Sequence, residues 1–276
     1  MSENSLRSLL RLDSSLIMGV VNITPDSFSD GGRFYDASQA VEHALLLVEQ
    51  GADILDIGGE STRPGAAEVT VEQELERVLP VIEALKAQIT VPISIDTYKP
   101  HVMRAAVDAG VSMINDINGL RAPGAIEAAA AANVPVCIMH MQGQPETMQA
   151  SPQYECVVTQ VEAFFKQRIS TAIDAGIKLD DIILDPGIGF GKTLKHNLEL
   201  LNAVPQLRLR TGCEMLVGVS RKSLIDMLLG RAVDQRLPAS LGLAVQAILN
   251  GAKIVRVHDV RETYDAIRAV EAVRNS

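Results

Sequence analysis

Aromatic residues make up only 3% of this 276-residue chain. The few that stand among polar residues are therefore candidates for contact with a flat ligand. Cysteine is scarce too. Cys137, Cys156 and Cys213 are odd in number and widely spaced; they show neither metal-ligand spacing nor a disulfide framework, which points to a reducing cytoplasm. The five histidines, His43, His101, His140, His196 and His258, lack the i, i+4 pairing or spacing of a zinc site. His43, His101 and His196 fall in helical stretches and read as ordinary surface residues. Positive charge is in deficit, with 25 Lys and Arg against 34 Asp and Glu, a net −9. That balance argues against a nucleic-acid footprint or an anionic membrane partner, so an anionic ligand must be met by a few local cations. No apolar run approaches the roughly 20 residues of a membrane span. Residues 1–15 carry Ser, Asn, Arg and Asp without the apolar core of a secretory signal.

What the chain has is alternation. It is 47% hydrophobic, and short apolar runs take turns with amphipathic segments. Strands are expected at 16–21, 53–58, 92–96, 111–116, 134–139, 181–185, 214–219 and 253–257. Helices are expected at 37–50, 71–88, 100–109, 123–132, 154–175, 194–203, 222–230 with 239–250, and 260–273. Gly51 and Gly110 suit the left-handed residue after a helix end, and Asp259 with Glu262 resembles a capping box. Strands alternating with helices imply parallel pairing and right-handed crossovers. Eight such units favour a closed (β/α)8 barrel, a TIM barrel, over an open doubly wound sheet, although periodicity alone leaves closure open. The length is close to the roughly 250 residues of one such barrel. With no linker or composition shift, residues 1–276 read as a single domain with an N-terminal extension at 1–15.

The polar residues that follow each apolar run are the chemical signal, because barrel active sites lie at the C-terminal ends of the strands. The first run, Leu16 to Val21, breaks at Asn22 into a loop of Thr24, Pro25, Asp26, Ser27, Phe28, Ser29, Asp30, Gly31 and Gly32. Next come Gly58-Gly-Glu-Ser-Thr-Arg-Pro-Gly65, Asp96, Asn115, Met139 with His140, Asp185, Ser220-Arg-Lys-Ser223, and Arg256 with His258. Any one Asp here is equally well a cap or turn residue. Together they form a set, with Asp96, Asp185 and Asn115 on one side and the cations Arg63, Lys222, Arg256 and His258 on the other.

Two patterns are look-alikes. Asp185-Pro-Gly-Ile-Gly-Phe-Gly-Lys-Thr193 ends like a phosphate-binding loop, but Pro186 stands where that motif needs Gly. It also fails the dinucleotide pattern, since Lys192 replaces a Gly. Its glycines suit close backbone approach to a flat ligand, with Phe190 beside it. Arg256 and His258, at i and i+2 on a strand, face the same way and should converge on one point. Ser220–Ser223 opens a helix after strand 7, whose free N–H groups favour an anion. Two anions held at neighbouring strand ends are thus expected.

Met18–Gly32, Asp56-Ile-Gly-Gly-Glu-Ser-Thr-Arg-Pro-Gly65, Ser94-Ile-Asp-Thr97, Ile114-Asn-Asp-Ile117, Leu184–Lys192, Gly218-Val-Ser-Arg-Lys-Ser223 and Val255-Arg-Val-His258 closely resemble the dihydropteroate synthases of folate biosynthesis. The seven motifs occur in order from about Leu16 to Val270, without departure at the positions that matter. The resemblance implies a magnesium-assisted transferase that joins para-aminobenzoate to a dihydropterin diphosphate and releases pyrophosphate. It also implies a homodimer and a sulfonamide target. By the same resemblance Asp96, Asn115, Asp185, Lys222 and Met139 would hold the pterin, with Asp96, Lys222 and Arg63 catalytic. Thr62, Arg256, His258 and Asn22 would grip the diphosphate, Asn22 also ligating Mg2+. Phe28, Arg63, Pro64, Phe190 and Ser223 would receive para-aminobenzoate. The residue chemistry agrees: carboxylates accept from ring and amino donors, an amide does both, and a Lys donates to a carbonyl.

Alternatives stand beside this. Asp56 and Asp116 lie inside strands and read first as satisfying barrel hydrogen bonds. Phe28 has a second reading as a loop anchor, although the scarcity of aromatics favours a functional one, and Met139 and His140 have one as filling of the upper core. A pterin-binding methyltransferase would resemble this fold but has no use for a diphosphate, against which Arg256, His258 and the Thr62-Arg63 loop argue. A non-catalytic pterin-binding homologue would be expected to lose Lys222 or the loop residues.

Overall fold

A computed structural model describes residues 5–23, 33–61, 68–144 and 147–276, the side chains of 33–36 excepted. Its eight strands are β1 (Leu16–Asn22), β2 (Ile54–Gly58), β3 (Ile93–Asp96), β4 (Met113–Asp116), β5 (Val136–Met139), β6 (Ile182–Asp185), β7 (Glu214–Gly218) and β8 (Ile254–Val257). All neighbours are parallel and β8 pairs with β1, closing the barrel. The helices are α1 (Leu6–Leu10), α2 (Arg33–Glu49), α3 (Val71–Lys86), α4 (Pro100–Asp108), α5 (Ala125–Ala132), α6 (Val157–Asp174), α7 (Leu194–Thr211), α8 (Ser223–Leu229), α9 (Leu237–Leu249) and α10 (Val260–Arg274). None among the described residues is long and apolar enough to cross a membrane.

Strand periodicity divides the core in two. Ile17, Leu55, Ile95, Ile114, Ile138, Leu184, Val217 and Val255 belong to one large cluster with the apolar faces of the helices. The alternate residues Leu16, Met18, Ile54, Met113, Cys137, Ile183, Leu216 and Ile254 fill the barrel interior. A side chain of this size contributes about 1.5–3 kcal/mol when fully buried, so the lower interior is a firm floor. Two residues further along these inward faces the chemistry changes to Asp56, Asn115, Met139, Asp185, Gly218 and Arg256. The register sets Gly58, Asp96 and Asn115 side by side on β2, β3 and β4. On the far side it sets Met139 beside Asp185 and Gly218 beside Arg256.

Two local expectations are corrected, and the N-terminal extension holds a helix: Ser5 caps α1, Leu6 joins the interior cluster, and Leu9 and Leu10 pack against it. Arg7 fixes this plug to Asp181 at 2.7 and 3.0 Å. Helix 194–203 runs on to Thr211 through Pro205, because the packing of Val204 and Leu207 in the core outweighs one lost hydrogen bond. Asp259 makes no side-chain cap; its carboxylate is taken by Arg221. Gly51 and Gly110 do adopt φ of 100° and 105°.

Candidate active site

The centre of the barrel mouth is a charged cluster that crosses four strands. Arg256 donates from Nε to Asp56 Oδ2 at 2.6 Å and from Nη2 to Asp96 Oδ2 at 2.7 Å. Asn115 Nδ2 donates to the same Asp56 oxygen at 3.0 Å. The expected separation of carboxylates from cations is thus replaced by interleaving, with Arg256 lodged between two acids. Asp56 is fully buried, and its partners are side chains of the barrel strands β4 and β8, as its reading as a satisfier of barrel hydrogen bonds expects. Burial raises the Asp96 carboxyl to about 7, Arg256 pulling the other way. Burial works against the Arg256 charge, but Asp56 and Asp96 more than offset it, and the guanidinium pKa is raised. Asp116 is the outward neighbour of Asn115, and its carboxylate is engaged by the backbone N–H groups of Asn118 and Leu120 at 2.6 and 2.9 Å. That arrangement matches its structural alternative.

Across the mouth, Asp185 accepts from Gly187 N at 2.7 Å, and burial raises its pKa against the pull of Lys222. Lys222, between β7 and α8, donates to Ile188 O and holds its ammonium 4.7 Å from the Phe190 ring centroid. Burial lowers it to about 8, with Asp185 opposing. Lys222 and Phe190 therefore meet, as a flat-ligand site requires. The turn that carries Phe190 is tightly specified. Gly187 has φ 67°, and a Cβ there would stand 2.0 Å from His140 O. Gly189 N donates to Asn197 Oδ1 at 2.8 Å. Lys192 points inward, away from any phosphate role, to the carbonyls of His140 and Phe190. Met139 is buried in a small cluster with Ile117, Met141 and Met148, against which Tyr98 and Phe190 pack, so an apolar wall flanks the polar set. His196 is no ordinary surface residue: it completes a capping box with Thr193 at the start of α7.

At the ends of β7 and β8 the expected convergence of Arg256 and His258 takes another form. Arg256 turns to Asp56 and Asp96, whereas His258 lies beside Ser220, with Nδ1 3.0 Å from its Oγ. The exposed Ser223 opens α8, which has seven residues. Asn22 ends β1, half-buried, next to Gly58. Phe28, Thr62, Arg63 and Pro64 lie outside the described residues.

One group escaped the sequence reading. Lys99 donates to Glu60 Oε2 at 2.5 Å and Glu74 Oε2 at 2.6 Å. Glu60 Oε1 in turn accepts from Val69 N at 3.1 Å, and Arg77 holds Gly59 O at 2.7 Å. This network frames both ends of the β2–α3 connection. The available signal was Glu74, a charged residue at a helical core position and fully buried.

Metal chemistry has one test here. Among the described residues no group of three or more His, Cys, Asp or Glu is placed to hold a metal. Asn22 offers a hard side-chain oxygen, which fits an ion such as magnesium that keeps waters and takes few protein ligands beside substrate phosphates.

The profile of the family described as "pterin binding enzyme" matches residues 18–258. Dihydropteroate synthase of Escherichia coli strain K12 is 51% identical over 263 residues, covering 95% of this chain and 93% of that protein. The crystal structure of Yersinia pestis dihydropteroate synthase with a sulfonamide drug complex superposes with a TM-score of 0.91 at 48% identity, covering 96% and 97% of the two chains. That of Xanthomonas albilineans dihydropteroate synthase with 4-aminobenzoic acid gives 0.90 at 49%, covering 96% and 94%.

Proposed function

This chain belongs to the pterin-binding enzymes, within the dihydropteroate synthases, and from that premise we propose how its strand ends perform the condensation. The reaction joins 6-hydroxymethyl-7,8-dihydropterin diphosphate to para-aminobenzoate, giving 7,8-dihydropteroate and pyrophosphate. The observation that carries the assignment of the pterin site is the facing of Asp96 and Asn115, through Arg256 and Asp56, toward Asp185 and Lys222 across the mouth. A pterin edge presents ring and amino N–H donors next to a carbonyl. Asp96, Asn115 and Asp185 accept from the donors, Lys222 donates to the carbonyl, and Met139 covers a ring face.

The C–O bond at the exocyclic carbon breaks and its electron pair leaves with pyrophosphate. The resulting cation is delocalised into the pterin, where the Asp96 carboxylate faces it. The aryl amine then forms the C–N bond with its lone pair and releases a proton to water. An aryl amine is already neutral near pH 7, so no strong base is required. Arg256 and His258 hold the diphosphate, with Thr62 from the β2–α3 connection; Arg256 exchanges part of its pairing with Asp56 and Asp96 for phosphate oxygens. Magnesium, held through Asn22 and the diphosphate, would neutralise charge on the leaving group. Phe190, Ser223, Phe28, Arg63 and Pro64 receive para-aminobenzoate, the arene against Phe190 and the carboxylate at the start of α8.

We also propose a cytoplasmic homodimer. The odd, unpaired cysteines support the compartment. The exposed run Met227, Leu228 and Leu229 on α8, with Val233 beyond it, supports the association.

The test is stoichiometric pyrophosphate release on mixing the pterin diphosphate, para-aminobenzoate and magnesium. Folded protein that makes no dihydropteroate under these conditions refutes the proposal. Retained pterin binding without turnover would instead point to the non-catalytic homologue.

A further inference from the structure

Asp56 is fully buried and touches two residues assigned to substrate. Its Oδ2 accepts from Asn115 Nδ2 at 3.0 Å and from Arg256 Nε at 2.6 Å. Along β2 it lies two residues deeper than Gly58, the residue level with Asp96 and Asn115. A carboxylate oxygen that faces a guanidinium carries no hydrogen and only accepts. It attracts the NH2 end of an amide and repels its oxygen. The Asn115 amide therefore turns its nitrogen down toward Asp56, and its Oδ1, on the other arm of the same planar group, is left toward the barrel mouth. An unconstrained Asn offers donor and acceptor alike; this one is held in a single polarity.

We infer that Asp56 is a positioning residue, which sets Asn115 as a hydrogen-bond acceptor for the pterin and restrains Arg256 beside Asp96. The assignment rests on the pterin-site reading above and deepens it. The mouth then presents three oxygen-bearing groups, Asp96, Asn115 and Asp185, against the single ammonium of Lys222. Such a set selects a ring edge rich in N–H donors, because a site built to accept leaves its own groups unpaired against a ligand that cannot donate.

The test separates the acceptor from the residue. Arg256 and Asn115 share Oδ2 of Asp56, so in Asp56→Asn the amide oxygen can stand in that place and keep both bonds. Affinity for 6-hydroxymethyl-7,8-dihydropterin, measured by calorimetry, should then stay within about threefold of the parent. Asp56→Leu removes the acceptor and frees Asn115 to turn, and affinity should fall by about tenfold or more. Adding Asn115→Asp to Asp56→Leu puts an acceptor on both arms, so no setting is needed, with net charge as in the parent. This double variant should bind tighter than Asp56→Leu, a non-additive rescue that a merely structural contact would not produce. Unfolding midpoints measured alongside establish that each variant is folded. Should Asp56→Leu fail to fold, Asp56→Ala, alone and with Asn115→Asp, carries the same test. Undiminished binding by the variant that lacks the acceptor, or a double variant no tighter than it, overturns the assignment. A parent protein that binds no pterin overturns the pterin-site reading itself, and this inference with it.

Discussion

Lys192 Nζ lies 3.1 Å from His140 Nδ1 and donates to the carbonyl oxygens of His140 and Phe190 at 3.1 and 2.8 Å. Both groups are buried. Burial, reinforced by Lys192, lowers the imidazole to about 3, so His140 is neutral and its Nδ1 accepts. One ammonium thereby ties the end of β5 to the turn that carries Phe190. A lysine that completes a phosphate-loop look-alike in sequence is, in the fold, a strut behind the ligand wall.

Lys192→Met should accordingly loosen that turn while the barrel stays folded. Several buried acceptors lose their donor, at about 1–3 kcal/mol for each group left unpaired. KM for para-aminobenzoate should rise more than KM for the pterin diphosphate, since Phe190 is the nearer casualty. Burial lowers Lys192 to about 7, below its unfolded value, so between that pH and the ordinary lysine range the unfolded chain binds more protons. Stability should therefore rise with pH over that window in the parent and rise less in the variant. Equal pH slopes in denaturant unfolding would remove Lys192 from this role.

Gly187→Ala should be severe. The left-handed backbone alone costs about 1–3 kcal/mol for a residue with a side chain, and the added methyl carbon would sit 2.0 Å from His140 O. Urea unfolding should show a marked loss of stability, together with loss of turnover through displacement of Asp185. A variant as stable as the parent would mean the turn has another low-energy path.

The pH profile of kcat/KM for the pterin diphosphate reports the free enzyme. Asp96 acts as a carboxylate and is raised to about 7, so activity should climb as pH passes that value. Lys222 acts as an ammonium and is lowered to about 8, so activity should decline above it. The expected profile is a narrow bell. Arg256→Gln removes a charge that holds Asp96 down and should move the acidic limb to higher pH. An acidic limb unmoved in that variant would assign it to some group other than Asp96.

Chelation should separate two functions of the mouth. The pterin groups Asp96, Asn115, Asp185 and Lys222 need no ion, whereas the diphosphate is proposed to share one with Asn22. Excess chelator should stop pyrophosphate release yet leave calorimetric binding of the diphosphate-free pterin unchanged. Turnover that persists in chelator would rule out the magnesium proposal.

The barrel was legible because parallel strands buried on both faces read as short apolar runs, and each expected strand overlaps its observed counterpart. Asp96, Asn115, Asp185, Lys222 and Arg256 were legible as polar residues terminating such runs. Less visible was what depends on partners remote in sequence. Nothing local to Asp56 says that Arg256, 200 positions away, will bind it. The Lys99 pairs with Glu60 and Glu74 are hidden for the same reason. The interior plug at Leu6, Leu9 and Leu10 did carry helical spacing, but five residues are too few for periodicity to separate from a loop. Pro205 acts in the opposite sense: it reads locally as a helix breaker, and core packing overrides it.

Asp96→Asn tests the chemistry most directly. Carboxylate and amide have nearly the same shape, so the pterin should still dock against Asn115, Asp185 and Lys222. What disappears is negative charge facing a ring that becomes positive only as pyrophosphate departs. An interaction that strengthens toward the transition state lowers kcat when removed and leaves ground-state binding comparatively intact. One such electrostatic contact is worth about 10²–10³ in rate. Asp96 also receives Arg256 Nη2 at 2.7 Å, and an amide oxygen can keep that bond, so Arg256 should remain near its place. If Asp96 served only as a hydrogen-bonding support for the ring, the variant would instead show a raised dissociation constant with kcat almost intact. Calorimetric binding of the pterin diphosphate beside kcat from pyrophosphate release distinguishes the two, and weakened binding at near-normal kcat would refute the cation-stabilising role.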